Sequence, residues 1–208
     1  MNGEGGRRER NKQLKLARIR EAAAALFAER GFEGTTMREL AERADVATGT
    51  LFLYVADKRE LLFLHFTDRL SGVVERSLAG LPGAESPVVE RLAACFAPLF
   101  AFYAHDPELA RHFVREQVFS SGGVWEARAH ELSRRFLGDI AQLLDEARVA
   151  GQVDGTVDLG QAAANVFALY FLSLVGWLGG HFTAGQAQAS LRAGLDLQIR
   201  GLATPPRG

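Results

Sequence analysis

Small hydroxyl-bearing and aromatic side chains are concentrated between Thr35 and Lys58, at the spacing of two short helices joined by a tight turn. Thr36 and Glu39 stand three residues apart, as the two partners of a capping box do at a helix start. The segment 47–54 that follows is too short and too polar for an ordinary core helix. Hydroxyl groups beside a glycine suit hydrogen bonding to DNA bases and phosphates at close range. The stretch therefore predicts a helix-turn-helix whose second helix enters the major groove.

Sequence motifs typical of catalysis and metal binding are missing from the chain. No HExxH, P-loop, GxSxG or Cys/His metal spacing is present, and the five histidines are scattered. The one cysteine, Cys95, stands in an apolar run, which suits a small buried hydrophobe and a reducing cytoplasm. We therefore predict a cytoplasmic protein that is no enzyme and holds no metal and no resident cofactor.

Charge is distributed unevenly along the chain, although the net charge is only −1. Residues 1–20 contain seven Lys or Arg against two Glu, whereas residues 64–208 contain twelve Arg against fifteen acidic residues. A basic arm on a mildly acidic body indicates a localised contact with an anion, and nucleic acid is the first candidate. Residues 1–9 are rich in glycine and charge, so we expect this arm to be disordered until it binds a partner. Whether its basic side chains enter a DNA minor groove stays open; they are Arg7, Arg8, Arg10 and Lys12.

Apolar residues recur at helical spacing throughout the chain, and no segment alternates with period two. Together with Pro at two helix starts and Gly31 at one helix end, this pattern predicts an all-α protein of about nine helices. Besides the two short helices described above, the predicted helices span about 10–30, 57–78, 87–104, 107–119, 125–150, 157–178 and 184–202.

The stretch 162–180 is uncharged over 19 residues, which approaches the length of a membrane span. Basic residues do not flank it closely, since the nearest are Arg148 and Arg192. The charge asymmetry that orients membrane helices is therefore missing. A helix that is apolar on all sides lies in a membrane or is buried all round. We favour a protein–protein interface and keep the membrane span as the alternative.

The chain from Ile19 to Leu62 resembles the TetR-type transcriptional regulators. The resemblance rests on two motifs at the family's spacing, GF-x-x-TT at 31–36 and GTL-x-x-Y at 49–54, together with the segment from Lys58 onward. It covers about the first third of the chain, and the remainder agrees in helix count and in the apolar penultimate helix.

Three positions depart from the family pattern. Ala47 stands where Ser or Thr usually caps the recognition helix, Phe52 where Tyr is common, and Asp45 where the turn usually has glycine. Because Asp tolerates the left-handed conformation better than most residues, we expect the turn to survive.

The resemblance implies a ligand-responsive transcriptional regulator that binds double-stranded DNA at a palindromic operator as a homodimer. Repression with release by an apolar small molecule is the commoner family behaviour, and activation stays open. The implied domains are the arm 1–9, a three-helix DNA-binding head 10–56, and a helical ligand-sensing and dimerisation domain 57–204. A membrane-associated or structural dimerising helical protein, suggested by 162–180, is the alternative.

Three sets of candidate residues follow from the resemblance and the residue chemistry. The DNA-binding set is Thr36, Arg38, Thr48, Gly49, Thr50, Leu53, Tyr54 and Lys58. The effector set is His65, Phe96, Phe100, Tyr103, Phe113, Gln117, Trp125 and Phe136, although core packing is the commoner role of such aromatic side chains. The dimer set is Phe167, Phe171, Leu174, Val175, Leu178, Leu191, Leu195 and Ile199.

Within the DNA-binding set, the chemistry of the side chains separates two roles. Thr48 and Gly49 are expected at base edges, since Thr offers both a hydroxyl and a methyl group and Gly permits close approach. Thr50, Tyr54 and Lys58 are expected to donate to phosphates, and most of the affinity is then salt-dependent.

Overall fold

The computed structural model describes residues 3–119 and 122–202, and these residues form helices and short connections without any β-strand. The helices of this part of the chain are α1 (Gly3–Gly34), α2 (Met37–Arg43), α3 (Thr48–Leu51), α4 (Lys58–Ala79), α5 (Val88–Ala104), α6 (Pro107–Phe119), α7 (Val124–Val149), α8 (Leu159–Leu178) and α9 (Ala184–Leu202). The prediction of an all-α protein of about nine helices is confirmed over the described residues.

The chain folds into two compact units. The first takes in the residues up to Asp68 together with His112–Ala129, and the second takes in Arg69–Arg111 together with the residues from His130 onward. The functional boundary after residue 56 stays a prediction. Leu61 and Phe113, both fully buried, belong to the first unit.

Helix α1 begins at Gly3, so the segment for which the composition predicts disorder is helical from there on. The residues after Gly6 are mostly good helix formers, and the Gln13 amide donates to Glu9 one turn earlier at 2.8 Å. Met1 and Asn2 lie outside the described residues. At the other end the helix is interrupted at Gly31, whose φ of 69° is the left-handed conformation expected of a glycine at a helix end.

The second unit is built around α5, α8 and α9, with α9 packed against both other helices. Helix α8 starts at Asp158, whose carboxylate accepts from the Gln161 amide at 3.1 Å. By length and composition α8 is the one helix of the described residues that could cross a membrane, but core helices of soluble proteins meet the same test. Burial raises the pKa of the Cys95 thiol to about 11, in keeping with its expected role as a small buried hydrophobe.

Candidate nucleic-acid interface and effector region

Helix α2 begins with the capping box expected from the sequence. The Thr36 hydroxyl accepts from the Glu39 amide at 3.3 Å, and the Glu39 carboxylate accepts from the Thr36 amide at 3.2 Å. Hydrogen bonding by Thr36, assisted by Arg30, lowers the pKa of Glu39. On the inner side Leu40 and Ala41 are buried, so the cap fixes the start of this short helix and the core holds its middle.

The turn between α2 and α3 tolerates its non-glycine residue. Asp45 adopts a φ of 52°, and its carboxylate pairs with Arg18 of α1 at 2.9 Å. Helix α3 that follows is a single turn, and Ala47 before it makes no side-chain cap, as expected. The orientation of this helix therefore depends largely on the buried side chain of Leu51.

An outward-facing surface is formed by Thr48, Gly49, Phe52 and Leu53, which we call the reading surface. All four residues are exposed, and Leu53 keeps 83% of its surface accessible. A Cβ atom placed on Gly49 would meet no atom within 4 Å. Large apolar groups that remain exposed at one place are typical of a binding surface. Phe52 is not in the predicted DNA-binding set, although its position next to Leu53 in the sequence indicates the same surface.

The Lys58 ammonium makes contacts within its own unit that a fully solvated lysine would not make. Its ammonium donates to the Glu33 carbonyl at 3.2 Å and lies 4.5 Å from the centre of the Phe32 ring. The Phe32 ring also packs on the His112 ring at a centroid distance of 4.8 Å. These contacts join the start of α4 to the end of α1, and an ammonium with three donors still has capacity for a phosphate.

The candidate effector residues are divided between the two units. His65, Phe113, Gln117 and Trp125 belong to the first unit, and Phe96, Phe100, Tyr103 and Phe136 to the second. In the first unit Phe113 stacks on Phe66 at 4.5 Å, and the His65 ring meets the edge of Phe66 at 5.2 Å. Trp125 makes a different kind of contact, since its indole N–H donates a hydrogen bond to the Tyr54 carbonyl at 3.1 Å.

In the second unit the aromatic candidates gather around Tyr170, which the sequence analysis did not single out. Phe96 stacks on the Tyr170 ring at 4.6 Å, Phe100 meets its edge at 5.6 Å, and Phe136 meets the edge of Phe96 at 5.8 Å. Burial raises the pKa of both the Tyr103 and the Tyr170 hydroxyl, and the two hydroxyls also influence each other's pKa. The cluster therefore combines apolar ring faces with one buried pair of hydroxyl groups.

Most of the predicted dimer residues face inward within their own chain. Five are buried in the second unit, namely Leu174, Leu178, Leu191, Leu195 and Ile199. Phe167 and Phe171 are half-buried, and Val175 is exposed. The outward side of the same two helices carries Leu172 and Leu197, which keep 69% and 70% of their surface accessible. A second copy can therefore reach these outward residues directly, while the five buried residues lie in the core of their own chain.

Residues 19–64 match the family model described as bacterial regulatory proteins, tetR family. Over 203 residues the chain is 28% identical to the HTH-type transcriptional repressor KstR of Mycolicibacterium smegmatis, covering 95% of this chain and 89% of that protein. It is 23% identical over 169 residues to the fatty acid metabolism regulator protein of Bacillus subtilis, covering 81% of this chain and 86% of the relative.

A solved structure extends the likeness to the fold. Thermus thermophilus FadR, a TetR-family transcriptional repressor in complex with lauroyl-CoA, superposes with a TM-score of 0.71 at 28% identity. The superposition covers 93% of this chain and 99% of that one. The likeness therefore includes the helices that follow the helix-turn-helix as well as the head.

Proposed function

This chain belongs to the TetR family of bacterial transcriptional regulators, and from that premise we propose that it is a repressor released from its operator by an acyl-CoA. The observation that carries the DNA-binding part is the reading surface formed by α3 and the two residues after it. Its small hydroxyl, its glycine and its exposed apolar groups are the types of group that read base edges.

The proposed contacts divide into base readout and backbone positioning. Thr48 offers a hydroxyl and a methyl group at the first position of α3, and the bare backbone at Gly49 admits a base edge closely. Leu53 provides an apolar contact to a thymine methyl or a sugar. The phosphate contacts are assigned to Thr36, Arg38, Thr50, Tyr54 and Lys58.

We place the dimer interface on the outward side of α8 and α9. Leu172, Val175 and Leu197 leave apolar surface exposed there, and a second copy related by a two-fold axis covers the same residues on both chains. Two recognition helices held in this way meet half-sites about one DNA turn apart. The operator is accordingly palindromic.

The effector class is inferred from relatives and from the second unit. The Thermus thermophilus relative is solved with lauroyl-CoA and the Bacillus subtilis FadR structure with stearoyl-CoA. In this chain the rings around Tyr170 offer apolar faces suited to an acyl chain, and the Tyr103–Tyr170 hydroxyl pair offers polar groups for a carbonyl. Release requires that the effector bind the DNA-incompetent state more tightly.

Selection of bound sequences from a random duplex pool tests the DNA-binding proposal. A two-fold symmetric motif is expected among the enriched sequences, because a symmetric dimer presents the same reading surface twice. No enrichment at low salt, where electrostatic binding is strongest, would contradict it.

Acyl-CoA is expected to stabilise the chain and release the operator together. At about 100 times Kd, binding to the folded state adds about 2.7 kcal/mol, which corresponds to a rise in Tm of about 5–10 °C for a chain of this length. Thermal unfolding and operator anisotropy with lauroyl-CoA and stearoyl-CoA measure the two effects. Free coenzyme A and the free fatty acids serve as controls. If no acyl-CoA stabilises the chain or releases the operator, the effector class is wrong.

Lys58→Ala is expected to flatten the salt dependence of operator binding by about one unit per head, because one phosphate contact is lost. It also costs about 1 kcal/mol of folding stability through the Glu33 carbonyl and the Phe32 ring. Fluorescence anisotropy over a salt series measures the slope, and Lys58→Arg is the charge-preserving control. A lower Tm with an unchanged slope would assign Lys58 to the internal structure of the head alone.

A further inference from the structure

The Glu60 carboxylate is buried, with only 4% of the residue accessible, and it is used to cap a distant helix. Its two oxygens accept from the backbone amides of Trp125 and Glu126, each at 3.2 Å. These amides lie in the first turn of α7, where backbone N–H groups have no partner within the helix. A carboxylate there also interacts favourably with the helix dipole.

The sequence pattern predicts a different use of Glu60. Asp57 and Glu60 have capping-box spacing, and Asp57 does accept from the Glu60 amide at 2.9 Å. The Glu60 side chain, however, is directed to α7 rather than back to its own helix start. Its partners are therefore about 65 residues away along the chain.

Gly123 is the residue that lets Glu60 reach the first turn of α7. Its φ of 147° is strained for any residue with a side chain, and an added Cβ would overlap Glu60 Oε1. Gly122 has a φ of 98°, but an added Cβ there would meet no atom within 4 Å. The two glycines before α7 thus have different roles, since only at Gly123 does the Glu60 carboxylate occupy the space that a side chain would need.

Trp125 connects this capped turn to the end of the recognition segment. The Trp125 ring is buried, and the Arg128 guanidinium lies over it at 4.4 Å from the ring centre. The indole N–H donates to the Tyr54 carbonyl at 3.1 Å. Tyr54 lies three residues after the last residue of α3, in the turn where the Tyr54 and Val55 amides donate to the Leu51 carbonyl. The bond therefore holds the turn that follows α3, a helix that has no side-chain cap at its N-terminal end.

We propose that Trp125 and Glu60 are positioning residues for DNA reading. Glu60 caps the first turn of α7, and this turn places the Trp125 indole. The indole holds the Tyr54 carbonyl by a hydrogen bond and so sets the orientation of the reading surface. This inference rests on the proposed DNA-binding function. A one-turn helix is oriented by few interactions, and each one removed widens the range of its orientations. Base readout demands a defined orientation, whereas attraction to phosphates does not.

Trp125→Phe removes the indole donor and keeps an aromatic ring, and Trp177→Phe is the matched control at the other tryptophan of the chain. We expect Trp125→Phe to lower affinity for the selected operator by about threefold to tenfold, the worth of one hydrogen bond. Affinity for random duplex should stay within about twofold, so the specificity ratio falls. Trp177→Phe should leave that ratio unchanged.

An unchanged specificity ratio in Trp125→Phe would overturn the inference, and so would an equal loss for operator and random duplex. Failure of the proposed function is distinguishable, because the parent chain itself would then show no preference for any sequence.

The glycine pair supplies a second test that leaves Trp125 in place. Gly123→Ala and Gly122→Ala both introduce a side chain at a positive φ, but only the former displaces the Glu60 carboxylate. We expect the specificity ratio to fall several-fold further in Gly123→Ala. Equal ratios in the two variants would overturn the role assigned to Glu60.

Discussion

Replacing Gly49 by glutamate is expected to abolish operator recognition while leaving the fold at least as stable as that of the parent chain. Gly49 lies within α3 and is exposed, and an added Cβ meets no atom within 4 Å. Glycine inside a helix is less favourable than glutamate by about 0.5 kcal/mol or more. Thermal unfolding should therefore give an equal or slightly higher Tm.

The loss of binding follows from the position of the new carboxylate. In the proposed complex with DNA it would face the phosphates and the base-edge acceptors, and juxtaposed like charges cost several kcal/mol at an interface. A symmetric dimer carries the change twice. Operator affinity measured by fluorescence anisotropy should fall at least about 100-fold, which corresponds to about 2.7 kcal/mol.

Gly138→Glu is the matched control for this variant. Gly138 lies within α7, is exposed, and likewise has no atom within 4 Å of an added Cβ. The substitution changes the net charge of the chain by the same amount at a helical glycine outside the head. Operator affinity is expected to stay within about threefold of the parent. If Gly49→Glu also binds within tenfold of the parent, α3 is not the helix that reads DNA.

The local features of the head could be predicted from the sequence because both partners of each interaction are close in the chain. The partners of the Thr36–Glu39 capping box are three positions apart, and the break at Gly31 depends on that residue alone. The left-handed turn at Asp45 follows in the same way from the allowed backbone conformations of one residue. Spacing and residue type were sufficient in each case.

The features that depend on distant partners could not be predicted. The spacing of Glu60 from Asp57 indicates a local cap, whereas its bonds are made to α7. Apolar spacing on α9 is the same whether Leu191 and Leu195 are buried within their own chain or against a second copy. Periodicity shows that a helix face is covered, and only the fold shows what covers it.

Composition was also an incomplete guide at the start of the chain. Glycine and charge at residues 1–9 favour disorder, yet α1 extends back to Gly3. Propagating an existing helix costs much less than nucleating one, so the well-packed turns around Ile19 and Ala23 support the residues before them.

Leu197→Asp is expected to convert the dimer to a monomer and thereby to cost most of the operator affinity. Leu197 keeps 70% of its surface exposed on the outward side of α9, where it makes little contribution to the core of its own chain. In the proposed interface it is buried in both copies, so each dimer would carry two unpaired buried carboxylates, at several kcal/mol each. The fold of the single chain should persist. Sedimentation equilibrium measures the mass, and circular dichroism the helix content.

The DNA consequence arises because the second head of a dimer binds at high effective concentration once the first is bound. A monomer loses that advantage, and operator affinity should fall by about 100-fold or more. Val149→Asp is the control, because Val149 is an even more exposed apolar residue, at 83%, at the end of α7. It should remain dimeric with parental affinity. A dimeric Leu197→Asp protein would exclude the outward face of α9 from the interface, and a monomer with parental affinity would separate operator binding from dimerisation.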